Sequence, residues 1–231
     1  MALSENTRLH YLTALGITVW QSRTVEASPV LAEMPSPSTR IEPHSLAVDS
    51  WETLRSQVAQ CERCTLCTTR TNTVFGEGNP NAKWFFIGEA PGQEEDLQGK
   101  PFVGEAGKLL TEMLRAMQLT REEVFIANIL KCRPPHNRDP HADEIHACRD
   151  YLFEQIALIN PKMIVAVGRI SAQTLLETHD PIGKLRGKVH HFQEKPLIAI
   201  YHPAYLLRTP IEKRKAWQDL QFALRSFKGI I

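Results

Sequence analysis

WFFIGEAPGQEEDLQGKPFVGEAGKLL, residues 84–110, decides how this chain is read. Trp84, Phe85, Phe86 and Ile87 make an unbroken apolar run of the length of a buried strand. The run stops at Gly88 and opens into a loop carrying Gly92, Gly99, Gly104 and Gly107, two prolines and the acidic triplet Glu94, Glu95, Asp96. An apolar-periodic helix follows over residues 108–117. Glycine lets backbone approach a ligand closely, and proline stiffens the loop. A rigid loop at the carboxyl end of a strand is where open α/β sheets bind their ligands. Three adjacent carboxylates would repel a triphosphate. The expected ligand is therefore a neutral, planar group.

Residues 124–130, 163–168 and 196–201 are further near-continuous apolar runs of strand length. Helical patterns separate them, over residues 142–159, 170–177 and 211–227. Strands without polar alternation, interleaved with helices, indicate a parallel sheet covered on both faces. The expected fold is a three-layer α/β/α sandwich with a central four-stranded parallel sheet and right-handed crossovers. This domain is expected to occupy residues 49–231, starting at a capped helix with Asp49 or Ser50 as N-cap. Residues 26–48 are rich in proline and serine and read as a flexible linker. Residues 1–25 show a short helical pattern.

The 231 residues carry a net charge of +1, so bulk charge gives no reason to invoke nucleic acid. Any such contact must come from a local patch. Two candidates are Lys184, Arg186 and Lys188 in one cluster, and Arg208, Lys213, Arg214 and Lys215 in the other. Taken alone, each reads first as an ordinary solvated face. No apolar run approaches the ~18 residues of a membrane span, and no secretion signal is present. A protein of the cytoplasm is expected.

Cys61, Cys64 and Cys67 form a C-x2-C-x2-C run, and Cys132 and Cys148 flank a proline-rich loop. Without a secretion signal, metal ligation is expected before disulfides. Four thiolates suit zinc or a [4Fe–4S] cluster, and spacing alone does not separate them. Two polar residues interrupt the strand pattern. Asn128 falls inside an apolar run, where a buried amide needs partners or faces a ligand. His202 ends the last strand, on the same sheet edge as the glycine loop, and Pro203 fixes the turn after it.

The motifs CERC, VFGEGNPNA, GEAPGQEED, GKPFVGEAGKLL, NILKCRPPHNRDP, IGKLRGK and HPAYLLR occur in this order between Trp51 and Phe227. Together they resemble the family 4 uracil-DNA glycosylases, the iron–sulfur branch of that superfamily. The resemblance implies an α/β/α fold and a monofunctional enzyme hydrolysing the N-glycosidic bond of a flipped deoxyuridine, the first step of base-excision repair. It implies that Cys61, Cys64, Cys132 and Cys148 hold a structural [4Fe–4S] cluster, with Cys67 a bystander. The backbone at Glu89 and Ala90 would line the uracil pocket, and Glu95 would stand beside uracil C5. Phe102 would stack on the base, Asn128 would bond its edge and His202 would face O2. Ala90 takes the place of an aspartate found in other branches, which leaves Glu89 or Glu95 to position the water. Leu206, Leu207 and Arg208 would contact DNA, the leucines either as wedges or as core packing.

Residues 9–24, LHYLTALGITVWQSRT, resemble the N-terminal peptide of the psi subunit of bacterial DNA polymerase III, which docks on the chi subunit. The resemblance implies a bacterial protein recruited to replication machinery. The alternative is a helix packed back on the domain. The catalytic domain itself is expected to be monomeric. Two other functions remain open at this point: a DNA-binding module without catalysis, and a zinc protein acting on nucleotides.

Overall fold

A computed structural model describes residues 50–229. The first helix, α1 (Trp51–Ala59), starts at Ser50, whose hydroxyl accepts from the Thr53 N–H (3.2 Å). Of the two expected caps, the described one is Ser50. The expectations for residues 1–25 and 26–48 lie outside the described residues.

The sheet contains the four expected strands, β2 (Trp84–Gly88), β3 (Phe125–Asn128), β4 (Met163–Val167) and β6 (Lys195–Ile200). They run parallel in the order β3-β2-β4-β6. Two short strands absent from the sequence reading close its edges, making six. β1 (Glu77–Gly78) pairs antiparallel with β3, and β5 (His190–Phe192) pairs antiparallel with β6. Two or three residues carry too little periodicity to be seen.

Alternate side chains of the parallel strands enter two separate cores. Phe85, Ile87, Phe125, Ala127, Ile164 and Ala166 face one side, under α1, α4 (Ala142–Ile159) and α5 (Arg169–Leu176). Phe86, Ile126, Val165, Val167, Ile198 and Ile200 face the other. That side is covered by α3 (Glu105–Ala116), α7 (Pro203–Arg208) and α8 (Lys213–Lys228). This is the expected three-layer sandwich, its middle strands buried on both faces as parallel strands are. Among the described residues no helix is long and apolar enough to cross a membrane.

The glycine loop is more ordered than its composition suggests. It contains a short helix, α2 (Gln93–Gln98), closed by Gly99 in the left-handed conformation. The buried Asp96 carboxylate takes the Thr71 N–H (2.9 Å) and the Asn72 N–H (3.3 Å), fastening α2 to the loop before β1. The segment after His202 is likewise a helix rather than a turn. Pro203 sits at the first position of α7, where its missing N–H is harmless, and His202 is the N-cap. The last helix begins at Lys213; residues 210–212 form a separate 3-10 turn.

Candidate active site

The carboxyl ends of β2, β3, β4 and β6 open into one cleft of about 860 Å³. Glu89, Ala90, Glu95, Phe102, Asn128 and His202 all line it. These six come from three separate stretches of the chain, residues 89–102, 128 and 202, and the fold brings them together.

Asn128 ends β3 and is 1 % exposed. Its side-chain Oδ1 is buried yet has no hydrogen-bond partner in the protein. A buried carbonyl oxygen left unpaired costs roughly 1–3 kcal/mol. The amide has room because residue 88 has no side chain: a Cβ there would lie 2.3 Å from Asn128 Oδ1 and 2.6 Å from Phe102 Cζ.

Phe102 is buried with φ +53°, the left-handed region that a bulky residue avoids. Arg121 holds the backbone in it. Its guanidinium donates to the Pro101 carbonyl (2.7 Å) and the Phe102 carbonyl (3.1 Å), and also faces Glu77 (3.4 Å). The Phe102 ring stands 5.8 Å from the His202 ring, tilted by 32°.

His202 caps α7, with the Ala204 N–H donating to its Nδ1 (3.1 Å). An imidazole that accepts at Nδ1 carries its proton on Nε2. Burial, aided by Arg208 and opposed by Glu95, lowers its pKa to about 4. The ring is therefore neutral at physiological pH and presents Nε2–H as a donor. Gly168, at φ +98°, permits this placement, since a Cβ there would come within 2.9 Å of His202 Cβ.

The two candidate carboxylates differ sharply. Glu95 accepts from the Gly92 N–H through Oε2 (3.1 Å) and from the Val103 and Gly104 N–H groups through Oε1 (2.9 Å each). It organises the loop and uses up amides that a phosphate would need. Glu89 is half-buried, and burial, then the nearby Asp139, raise its pKa to about 7 despite Arg169. A group that titrates there can take a proton at neutral pH.

A second, smaller cavity is lined by Cys61, Cys64, Cys132 and Cys148 together with Leu66, Leu130 and Arg70; Cys67 is not among its walls. None of the five cysteines is in a disulfide. Arg70 Nη1 donates to Cys132 Sγ (3.2 Å), and the Lys131 N–H donates to Cys148 Sγ (3.2 Å). Burial pushes the Cys148 thiol up to about 12. Among the described residues no three His, Cys, Asp or Glu side chains are grouped so as to hold a single metal ion.

The description "Uracil DNA glycosylase superfamily" matches residues 75–221. A type-4 uracil-DNA glycosylase of Sulfurisphaera tokodaii is 49% identical over 183 residues, 75% of this chain and 83% of that protein. The type-4 enzyme of Archaeoglobus fulgidus is 46% identical over 171 residues, 71% and 86% respectively. That of Thermotoga maritima is 45% identical over 159 residues, 68% and 83%. The chain belongs to the type-4 uracil-DNA glycosylases.

Against this family background, one expectation needs correction. Leu206 is 1 % exposed and packs in the core beneath α7, so it is no DNA wedge. Leu207, 43% exposed, and Arg208, on the cleft rim, remain available. In the first basic cluster, Arg186 is bound to the buried Asp219 (2.6 Å) and lies over the Tyr201 ring (4.3 Å). It braces α8 and is not free to contact DNA. In the second cluster Arg208, Lys213 and Arg214 are exposed, while Lys215 bonds Glu212 (3.0 Å). Reading one sequence missed Arg121, Lys131 and Gly168. Their roles depend on partners distant in the chain, and no local pattern marks them.

Proposed function

We propose that this protein is a monofunctional uracil-DNA glycosylase acting on a deoxyuridine flipped out of DNA. The observation that carries the reading is the unpaired Oδ1 of Asn128, beneath Phe102 and across from a neutral His202. A uracil in the cleft satisfies it: Oδ1 accepts from N3–H while the amide nitrogen donates to O4. Phe102 stacks on the ring. His202 Nε2–H donates to O2, where charge builds as the base leaves, a contact typically worth roughly 3–4 kcal/mol. Being neutral, the ring makes this bond while its Nδ1 still accepts from the Ala204 N–H.

Hydrolysis then needs a water at C1′. The N1–C1′ bond breaks with its electron pair going to the uracil, the water oxygen bonds to C1′, and a proton passes to a base. Glu89 is that base, supported by its pKa near 7 and by the engagement of Glu95 with three amides. Glu95 keeps the wall beside C5, where a thymine methyl would have to fit. Leu207 and Arg208 are the groups offered to the gap in the DNA stack.

The cysteine cavity fits a [4Fe–4S] cluster. Four sulfurs share one small apolar space, with Arg70 beside them as a cation. Cys61, Cys64, Cys132 and Cys148 would hold it, and its service is structural, joining the loop after α1 to α4 and the end of β3.

The test is cleavage of a uracil-containing oligonucleotide by the brown, iron-loaded protein, read as strand scission after alkali. Scission at uracil and not at thymine is expected. Iron-loaded protein that leaves the uracil strand intact overturns the reading. Residues 9–24 offer a separate role, binding the chi subunit, supported by their likeness to the psi peptide. Equal capture of chi by the full chain and by one starting at Asp49 would end that idea.

A further inference from the structure

Lys131 lies three residues beyond Asn128 and is 1 % exposed. Its ammonium donates to the Asn128 carbonyl oxygen (2.9 Å) and to Gln155 Oε1 (2.7 Å). Gln155 is fixed in turn, its Nε2 donating to the Phe75 carbonyl (2.9 Å). The backbone N–H of Lys131 donates to Cys148 Sγ (3.2 Å). Gln155 and Cys148 stand on one face of α4, two turns apart. One residue thus ties the end of β3 to α4 at two points.

Burying an ammonium is expensive, and a methionine of similar length would fill the space at lower cost. The hydrogen bonds identify what the charge achieves. Asn128 must stand with its side-chain oxygen unpaired, and its backbone is gripped from behind. The grip comes from α4, on the sheet face that packs around the cysteines.

We propose that Lys131 is a positioning residue, fixing the Asn128 backbone against α4 so that the side-chain amide meets the pyrimidine edge. The cysteine cavity and the base pocket then share one support. This rests on the reading of Asn128 as the uracil-binding side chain.

The test replaces Lys131→Met in the full, iron-loaded chain. Inhibition of oligonucleotide cleavage by free uracil reports on the pocket, with kcat, KM, melting temperature and iron content measured beside it. The uracil inhibition constant is expected to rise on the order of tenfold, the scale of a hydrogen bond to a charged group, well below the melting temperature. In an Asn128→Ala background the same change is expected to leave kcat/KM where Asn128→Ala alone puts it. An unchanged uracil inhibition constant in Lys131→Met, or a full additive loss in the double variant, overturns the proposal. Should Lys131→Met not fold, Gln155→Met removes the anchor while keeping the ammonium. A smaller rise in the same constant is expected, and no rise overturns the proposal. Failure of the underlying reading looks different: wild-type protein insensitive to free uracil, or Asn128→Ala as sensitive as wild type.

Discussion

Glu89 and His202 carry opposite shifts, and the two make distinct demands on pH. Glu89 has its pKa raised from the usual 4.5 to about 7, so the folded protein holds this proton where the unfolded chain has released it. Stability from this group is therefore present at low pH and lost as pH rises from about 4.5 through 7. Glu89→Gln removes the penalty. Above pH 7 the variant is expected to be more stable than wild type by up to about 3 kcal/mol, read from thermal melts at pH 8 and pH 5. Its cleavage rate should fall by roughly 10²–10⁴, the usual worth of a positioned base. His202 has its pKa lowered to about 4, so stability falls as pH drops from about 6.5 toward 4. In wild-type kcat/KM, a limb near pH 7 is accordingly expected from Glu89. Glu89→Gln should flatten it, and a limb that survives would assign the titration elsewhere.

At the level of elements, the cleft depends on α7 and α8 staying seated on β6. Arg186 and Asp219 make a buried ion pair across this junction, and Arg186 also donates to the Lys215 carbonyl (2.9 Å). Asp219→Ala strands a buried guanidinium and is expected to cost about 3–5 kcal/mol in urea unfolding. A loss under ~1 kcal/mol would show the pair to be exposed in solution. The same residues show where sequence reading stops. Four parallel strands were legible because strands buried on both faces leave long apolar runs, and Asn128 and His202 stood out as polar interruptions at their ends. Arg186 read as part of a basic patch because Asp219, which neutralises it, lies far along the chain. Leu206 and Leu207 are adjacent and chemically alike, and only the rotation of α7 sends one inward. The left-handed turn at Phe102 is held by Arg121, and nothing in PFVG announces either the turn or its clamp.

For the whole molecule, the cysteine cavity joins three parts of the chain: the segment at Cys61 and Cys64, the loop after β3 at Cys132, and α4 at Cys148. Stripping the iron with a chelator is expected to lower the melting temperature and to weaken cleavage in step with iron lost. Full cleavage by iron-free protein would remove the cluster from the architecture. Gly88 and Gly168, at the ends of neighbouring strands, set a different kind of limit. The two side chains that would grip the base occupy volume that these strands vacate. Selectivity here is carved out of the sheet by omission, so a single added methyl at either place would evict the machinery it serves. A change of base preference is thereby steered away from these two strand ends and toward the loops around the cleft.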